Sequence, residues 1–349
     1  MEALDDAKFS GTKEVAEHLT IEVSNLQPWI DEFVPGAGKI KSVEQFKGGQ
    51  SNPTYKIVTE SKNLVLRRKP PGKLLPSAHA VDREYKVITA LYETDVPVPK
   101  TYGLCKDDEV AGTAFFVMDF LDGDLFWNPM IPSLSNKDRT EIYRNKNKTL
   151  ALLHGVDYKK IGLEDYGKPG NYVARQVARW SKQYRASETD DIEAMNNLID
   201  WLPKNIPDDD ETSIVHGDYR LDNMILKNNQ VMGILDWELS TLGHPIADFS
   251  YHCLSWRTQE AFWDQGKLKE LGVPSEKEYM DMYCENTGKD LSKNWEFYMA
   301  FNMFKIAGIL QGILGRVRDG TASSKHAEDR GMMVYPLSEA AWNTIEENF

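Results

Sequence analysis

The chain of 349 residues carries 41 Lys and Arg against 54 Asp and Glu, for a formal net charge of -13, with 41% hydrophobic residues, nine tryptophans and three cysteines. That length and apolar content suit a large core in one two-lobed domain or two closely packed ones, and exclude a small stapled scaffold. The charge excludes the basic field that a nucleic-acid partner requires.

The balance is uneven, with two basic and eight acidic residues over 1–37, 13 and 11 over 38–122, and 26 and 35 over 123–349. An acidic C-terminal part would suit a cationic acceptor, although solubility alone explains such a balance. The opening MEALDDAKFS is too acidic and polar for a secretory signal. No apolar run of 18 residues stands out, so no membrane span is expected. Cys105, Cys253 and Cys284 are widely spaced; they read as free thiols of a cytoplasmic protein and offer no zinc pattern.

Residues 1–37 form an expected helical arm, with Leu26, Trp29, Ile30, Phe33 and Val34 at helical spacing before Pro35-Gly36. Ile40 to Phe46, Thr54 to Thr59 and Leu64 to Arg67 alternate apolar and polar residues and predict an antiparallel sheet. Between the first two lies GGQSNPTY, Gly48 to Tyr55, whose Gly48, Gly49, Ser51 and Asn52 are candidates for turning backbone N–H groups toward a phosphate. A plain hairpin is the competing reading. The strand Leu64-Val65-Leu66-Arg67 overlays the V-A-I-K pattern of kinases, placing Arg67 where the phosphate-binding lysine belongs and on the same face as Val65. A helix over 78–93 follows, with Glu84, Val87, Ile88 and Leu91 on one stripe; Glu84 is the expected partner of Arg67.

Pro97 and Pro99 break the chain, and TAFFVMDFL resumes as a strand ending at Asp122-Gly123, where a linker between lobes belongs. There the backbone of Asp119 and Phe120 would read an adenine edge while Val117 and Met118 contact its face; apolar strand packing competes for the two side chains. Helical spacing then predicts helices over 139–154, 171–186 and 192–202, and later over 247–256, 277–286, 295–314 and within 323–347. His154 reads as a core residue. On the 171–186 helix, Arg175, Arg179, Lys182 and Arg185 share one face. Arg175, Arg179 and Lys182 are candidates for docking an acceptor's phosphates, against the alternative of a solvated face.

The central stretch, VHGDYRLDNMILKNNQVMGILDWE from Val215 to Glu238, carries the chemistry. His216, Gly217, Asp218 and Asn223 have the spacing of a kinase catalytic loop, in which an Asp orients the attacking hydroxyl and an Asn five positions on binds magnesium. Asp236 would hold the metal's second contact. Arg220 could bring its guanidinium fork to the transferred phosphoryl group. His216 reads as a brace for the loop. Ordinary strands around a polar turn are the bland alternative, but Asp218, Asn223 and Asp236 each fall at the end of an apolar run, the context this motif needs.

With GGQSNPTY, LVLRRKPPG, FFVMDFLDG, LALLHGVD, VHGDYRLDNMIL, ILDWELSTLGHPIADFSY and FKIAGILQGI in view, the chain resembles the aminoglycoside phosphotransferase family across nearly its whole length. More narrowly, it resembles the branch found alone in bacteria or fused ahead of an acyl-CoA dehydrogenase module and associated with phosphorylating hydroxyacyl-CoA. The resemblance implies an α+β, protein-kinase-like two-lobed fold: a small antiparallel-sheet nucleotide-binding lobe over 38–122 and a larger, mainly helical catalytic and acceptor-binding lobe over 123–349. It implies ATP or GTP and Mg2+ as cofactors, Asp218 as catalytic aspartate, Asn223 and Asp236 as metal residues, and Arg67 with Glu84 as phosphate clamp. The expected reaction is phosphorylation of a small-molecule hydroxyl, with a hydroxyacyl-CoA, an aminoglycoside or another amino alcohol as acceptor. Arg67 in place of lysine leaves a non-catalytic nucleotide-binding module as the alternative. A protein kinase is disfavoured because the eleven residues from Trp237 to Ala247 leave no room for a long activation loop.

Overall fold

A computed structural model describes residues 10–48, 52–72, 79–258, 268–322, 324 and 326–349. In chain order its main elements begin with β1 (Thr12–Lys13), α1 (Val23–Phe33), β2 (Ile40–Phe46), β3 (Thr54–Thr59), β4 (Asn63–Arg68) and α2 (Val81–Leu91). They continue with β5 (Thr101–Cys105), α3 (Asp108–Ala111), β6 (Phe115–Asp119), α4 (Asn136–Gly155), α5 (Tyr172–Ser187) and α6 (Glu193–Trp201). The central stretch supplies β7 (Ser213–Val215), β8 (Met224–Lys227) and β9 (Gln230–Ile234), followed by β10 (Thr241–Gly243) and α7 (Pro245–Cys253). The chain closes with α8 (Glu276–Thr287), α9 (Trp295–Arg318), α10 (Ala327–Met332) and α11 (Val334–Asn348). This is the expected α+β architecture, an antiparallel-sheet N-terminal region followed by a mainly helical part.

The chain divides into two compact units, the first comprising Met1–Tyr166, Asp218–Ser240 and Glu270–Val273 and the second Gly167–Gly217, Thr241–Lys269 and Pro274–Phe349. In the first unit the six-stranded sheet runs β1-β2-β3-β4-β6-β5, every pair antiparallel. Alternation along β4 and β6 decides what each face does, because successive side chains point to opposite sides of a strand. Val65 pairs with Met118 and Arg67 with Phe116, and these four line a cavity. Leu66 pairs with Val117 and Arg68 with Phe115, on the face packed against α1. There Trp29 sits edge-on to Phe115, with ring centroids 5.0 Å apart. Val117 is therefore a core residue, and Met118 alone of that expected pair reaches the cavity.

Two elements of the sheet have no counterpart in the expectations. Strand β1 pairs Thr12 with Phe46 and Lys13 with Gln45, adding an edge strand from within the supposed helical arm. Strand β5 follows the proline break directly. Neither is visible as a period, since two residues cannot show one and Gly103 interrupts the other.

In the second unit, β7 pairs with β10. Helix α8 begins with a complete capping box between Ser275 and Glu278 and ends at Gly288 in the left-handed region, φ 71°. Helix α9 corrects the expectation of no spanning-length apolar stretch: by length and composition it could cross a bilayer. Two-thirds of its apolar window (67%) is instead buried, and it packs against α5, α7, α10 and α11 as a core helix. His154, on α4 of the first unit, is buried as expected of a core residue.

Candidate active site

Arg67 leaves the cavity face of β4 as a nearly buried guanidinium, 8% exposed. Its Nε lies 3.0 and 2.8 Å from the two Glu84 carboxylate oxygens, and Nη2 donates to Asp236 Oδ1 at 2.6 Å. The Glu84 pairing expected from the helix stripe is present; the Asp236 pairing is additional. Burial opposes the Arg67 charge, but the two carboxylates more than offset it and raise its pKa. Burial also pushes the Glu84 carboxyl up to about 7, a rise limited by Arg67. Glu238 adds negative charge to the same cluster.

Asn52, a candidate nucleotide contact, is fully buried and does not line the cavity. Its Nδ2 donates to Glu84 Oε1 at 2.9 Å and its Oδ1 lies 3.1 Å from His79 Nδ1, so its side chain braces the Glu84 carboxylate. Gly48 lines the cavity; Gly49 and Ser51 lie outside the described residues.

The cavity, about 710 Å³, lies wholly within the first unit. Met118, Asp119 and Phe120 line one part, and Arg67, Glu84, Asn223 and Asp236 another. Tyr102 donates to Asp119 Oδ1 at 2.6 Å, fixing that side chain. Phe120 stacks on Phe46 with centroids 6.4 Å apart and receives Lys56 over its face. Sequence reasoning missed the apolar walls supplied by Ile88, Pro99, Phe116 and Trp127, and the edge supplied by Ser10 and Gly11. The last two are held there by β1, where the Lys47 N–H donates to the Gly11 carbonyl at 3.1 Å. Just past the β6 end, Asp124 exchanges backbone hydrogen bonds with Leu226. A Cβ on Gly123 would strike the Leu226 carbonyl oxygen, so this crossing requires glycine.

In the second unit, Val215 ends β7 and the chain turns through His216 and Gly217, the latter at φ 83°. Both N–H groups donate to the buried Asp248 carboxylate, at 2.8 and 2.9 Å. His216 is itself fully buried. Sequence reasoning missed the role of Asp248; its position in the quoted ILDWELSTLGHPIADFSY motif was the available signal.

In the first unit, Asp218 is held by Asn223, whose Nδ2 donates to the Asp218 carbonyl at 2.9 Å and to Oδ2 at 3.1 Å. Arg220 sits between two acids, with Nε 3.3 Å from Asp218 Oδ1 and Nη2 2.8 Å from Asp222 Oδ2. Burial pushes the Asp222 carboxyl up, and Arg220 opposes the rise. Arg220, Asp222 and Asn223 line the cavity, and Asp218 adjoins it through its contacts with Arg220 and Asn223. Asp236 adopts φ 62°, ψ 65°, the left-handed region that few non-glycine residues other than asparagine, aspartate and histidine enter.

The residues fit a hydrated cation. Asn223 uses its amide nitrogen on Asp218, which leaves its carbonyl oxygen, and Arg67 engages one oxygen of Asp236, which leaves the other. Two protein oxygens completed by phosphate and water suit Mg2+, which rarely uses an all-protein cage. Among the described residues no cluster of three or more His, Cys, Asp or Glu offers such a cage.

The basic stripe on α5, in the second unit, is partly committed. Arg175 donates to the carbonyls of Gly170 and Lys168, Arg185 pairs with Glu188 at 2.9 Å, and Arg179 lies 5.5 Å over the Trp180 ring.

The chain belongs to the phosphotransferase enzyme family, whose model matches residues 42–283. One relative is acyl-CoA dehydrogenase family member 10 of Mus musculus, 44% identical over 86% of this chain and 29% of that protein. The chain spans less than half the length of the relatives that carry acyl-CoA dehydrogenase names, from 29% to 46%. A crystal structure from Ralstonia eutropha, assigned provisionally to the aminoglycoside phosphotransferases, is 48% identical with a TM-score of 0.86, covering 95% of this chain and 100% of that one. The kinase-like fold is shared with aminoglycoside phosphotransferase APH(4)-Ia in complex with AMP-PNP and hygromycin B, at 12% identity and a TM-score of 0.61, covering 93% of this chain and 99% of that one.

Proposed function

We propose that this phosphotransferase transfers the γ-phosphoryl group of ATP or GTP to a hydroxyl of a small molecule, with a hydroxyacyl-CoA as the acceptor class. The observation that carries the reading is the meeting of Arg67, Glu84 and Asp236 in a cavity that Asn223, itself bonded to Asp218, also lines. The aligned relative bound to AMP-PNP supports the nucleotide, and the names of the longer relatives support the acyl-CoA class. Residues 38–122 act as the nucleotide-binding lobe, 123–349 as the catalytic and acceptor-binding lobe, and 1–37 as an arm whose Thr12–Lys13 strand joins the sheet of the nucleotide-binding lobe.

In this reading the Asp119 and Phe120 backbone meets the base, while Gly48 and Arg67 hold the phosphates. Asp218 accepts the proton of the attacking hydroxyl, and Asn223 keeps its carboxylate oriented. Arg220 gives up one of its two acidic partners to meet charge on the transferred group. Mg2+, held by Asn223 and Asp236, would supply charge neutralisation at the phosphate oxygens.

A panel measuring ATP and GTP consumption with hydroxyacyl-CoAs, aminoglycosides and amino alcohols tests the proposal. Turnover confined to hydroxyacyl-CoAs supports it; turnover with aminoglycosides or amino alcohols alone replaces the acceptor class. Absence of magnesium-dependent nucleotide binding would remove the kinase reading altogether.

A further inference from the structure

Helix α2 carries two consecutive charged residues that reach different parts of the first unit. Glu84 meets Arg67, whereas Arg83 sends Nη2 to two backbone carbonyls, Tyr166 at 2.8 Å and Ser240 at 3.3 Å. Its guanidinium carbon lies 4.5 Å from the Tyr166 ring centroid. The two residues it joins are buried, 1% and 3% exposed, and their hydroxyls hydrogen-bond to each other. Ser240 Oγ also approaches the Trp237 carbonyl at 2.6 Å, and the Ser240 N–H donates to that carbonyl at 3.1 Å. Trp237 is fully buried and directly follows Asp236.

We infer that Arg83, acting through Tyr166 and Ser240, is a positioning residue that ties the Glu84-bearing helix to the turn bearing Asp236, so that both carboxylates stay on Arg67. None of the three lines the cavity, so their effect on bound nucleotide is indirect. A helix turned by even a fraction of a residue would carry Glu84 away from β4; Arg67 and Asn52 both hold the helix at Glu84, one point that does not fix its orientation. The arginine fork suits this duty because its planar donors can serve two carbonyls while its face rests on a ring; a lysine ammonium holds one carbonyl as a point charge. Arg83 is an exposed residue, so its replacement is not expected to unfold the protein.

The inference rests on the phosphotransfer reading for its consequence but not for its physical content, and two measurements on the full chain separate them. The first is amide hydrogen exchange without nucleotide, comparing Arg83→Met and Arg83→Lys with the unaltered protein. Arg83→Met is expected to speed exchange in α2 and in residues 237–240 together, by about tenfold, with Arg83→Lys between the two. The second is calorimetric affinity for ATP with magnesium. Arg83→Met is expected to weaken it about tenfold, and Arg83→Met with Glu84→Gln to be no weaker than Glu84→Gln alone, since both break one arrangement. Faster exchange in α2 only, or multiplied losses in the double variant, would overturn the inference. If the unaltered protein binds no ATP, the phosphotransfer reading fails while the exchange result decides the coupling on its own.

Discussion

Arg67 Nη2 and Asp236 Oδ1 are 2.6 Å apart although 169 positions separate them in the chain. The same guanidinium holds Glu84 through Nε, so one side chain of β4 joins a helix and a turn that share no local sequence. Arginine at this position is thereby a structural tie as well as the proposed phosphate-binding cation. Its fork spans two carboxylates at once, which a lysine ammonium does only by compromise.

Arg67→Lys is therefore expected to retain the fold and weaken ATP affinity by about tenfold, while Arg67→Met and Glu84→Gln give non-additive losses in a double-mutant cycle. Glu84→Ala is expected to destabilise the protein by roughly 1–3 kcal/mol, because it takes one of two carboxylates from the buried Arg67 guanidinium and leaves Asn52 Nδ2 without that acceptor. Calorimetry and urea denaturation check the two statements. Full activity in Arg67→Lys would show that the fork geometry is dispensable.

A pH dependence follows from the raised Glu84 pKa. As an acid raised from its ordinary 4.5 to about 7, Glu84 is increasingly ionised as pH rises through 7, strengthening its hold on Arg67. ATP affinity should rise by a few-fold, roughly threefold, across that interval. The stability effect runs oppositely: an acid raised on folding favours the folded chain when protonated, so its contribution falls as pH climbs from 4.5 to about 7. Glu84→Gln, which keeps the shape without the titration, serves as the control for the ligand's own ionisation. An identical affinity profile in that variant would assign the pH dependence elsewhere.

Asp218 and Asp236 should fail differently. Asp218→Asn keeps the size of the side chain but removes the carboxylate proposed to accept the proton, and is expected to lower turnover by about 100- to 10,000-fold with ATP affinity nearly unchanged. Asp236→Ala removes an Arg67 partner and a proposed cation ligand, so magnesium should no longer improve ATP affinity. Turnover and calorimetry, with and without magnesium, distinguish the two. The same phenotype in both variants would contradict the division of roles.

Asp248 accepts the backbone N–H groups of His216 and Gly217, immediately before Asp218 in sequence. Asp248→Ala leaves two inward-facing donors without this carboxylate, an expected loss of about 2–5 kcal/mol, with turnover reduced beyond the fraction unfolded. Thermal unfolding and turnover at a temperature well below the midpoint test this. Unchanged values for both would show that the turn holds itself.

Much of the site was legible because its signals are local. Alternation put Val65 and Arg67 on one face, helical spacing put Glu84 on the α2 stripe, and the Asp218 to Asn223 interval is one loop whose ends touch. What local periods cannot say is which face of a strand borders the cavity. That depended on β6 pairing with β4 in a register that turns Met118 inward and buries Val117. Nor could they show that Asn52 turns to Glu84, or that Thr12 and Lys13 form an edge strand, because both follow from chain segments brought close only on folding. Helix α9 is a further case: its composition resembles a span, and only its packing within the second unit makes it a core helix. The residue types and spacings set by the sequence were enough to single out Asp218, Asn223 and Asp236 as candidates. The second ion pair of Arg67 was decided by tertiary structure, since a guanidinium buried at 8% exposure takes whatever carboxylates the fold delivers within reach.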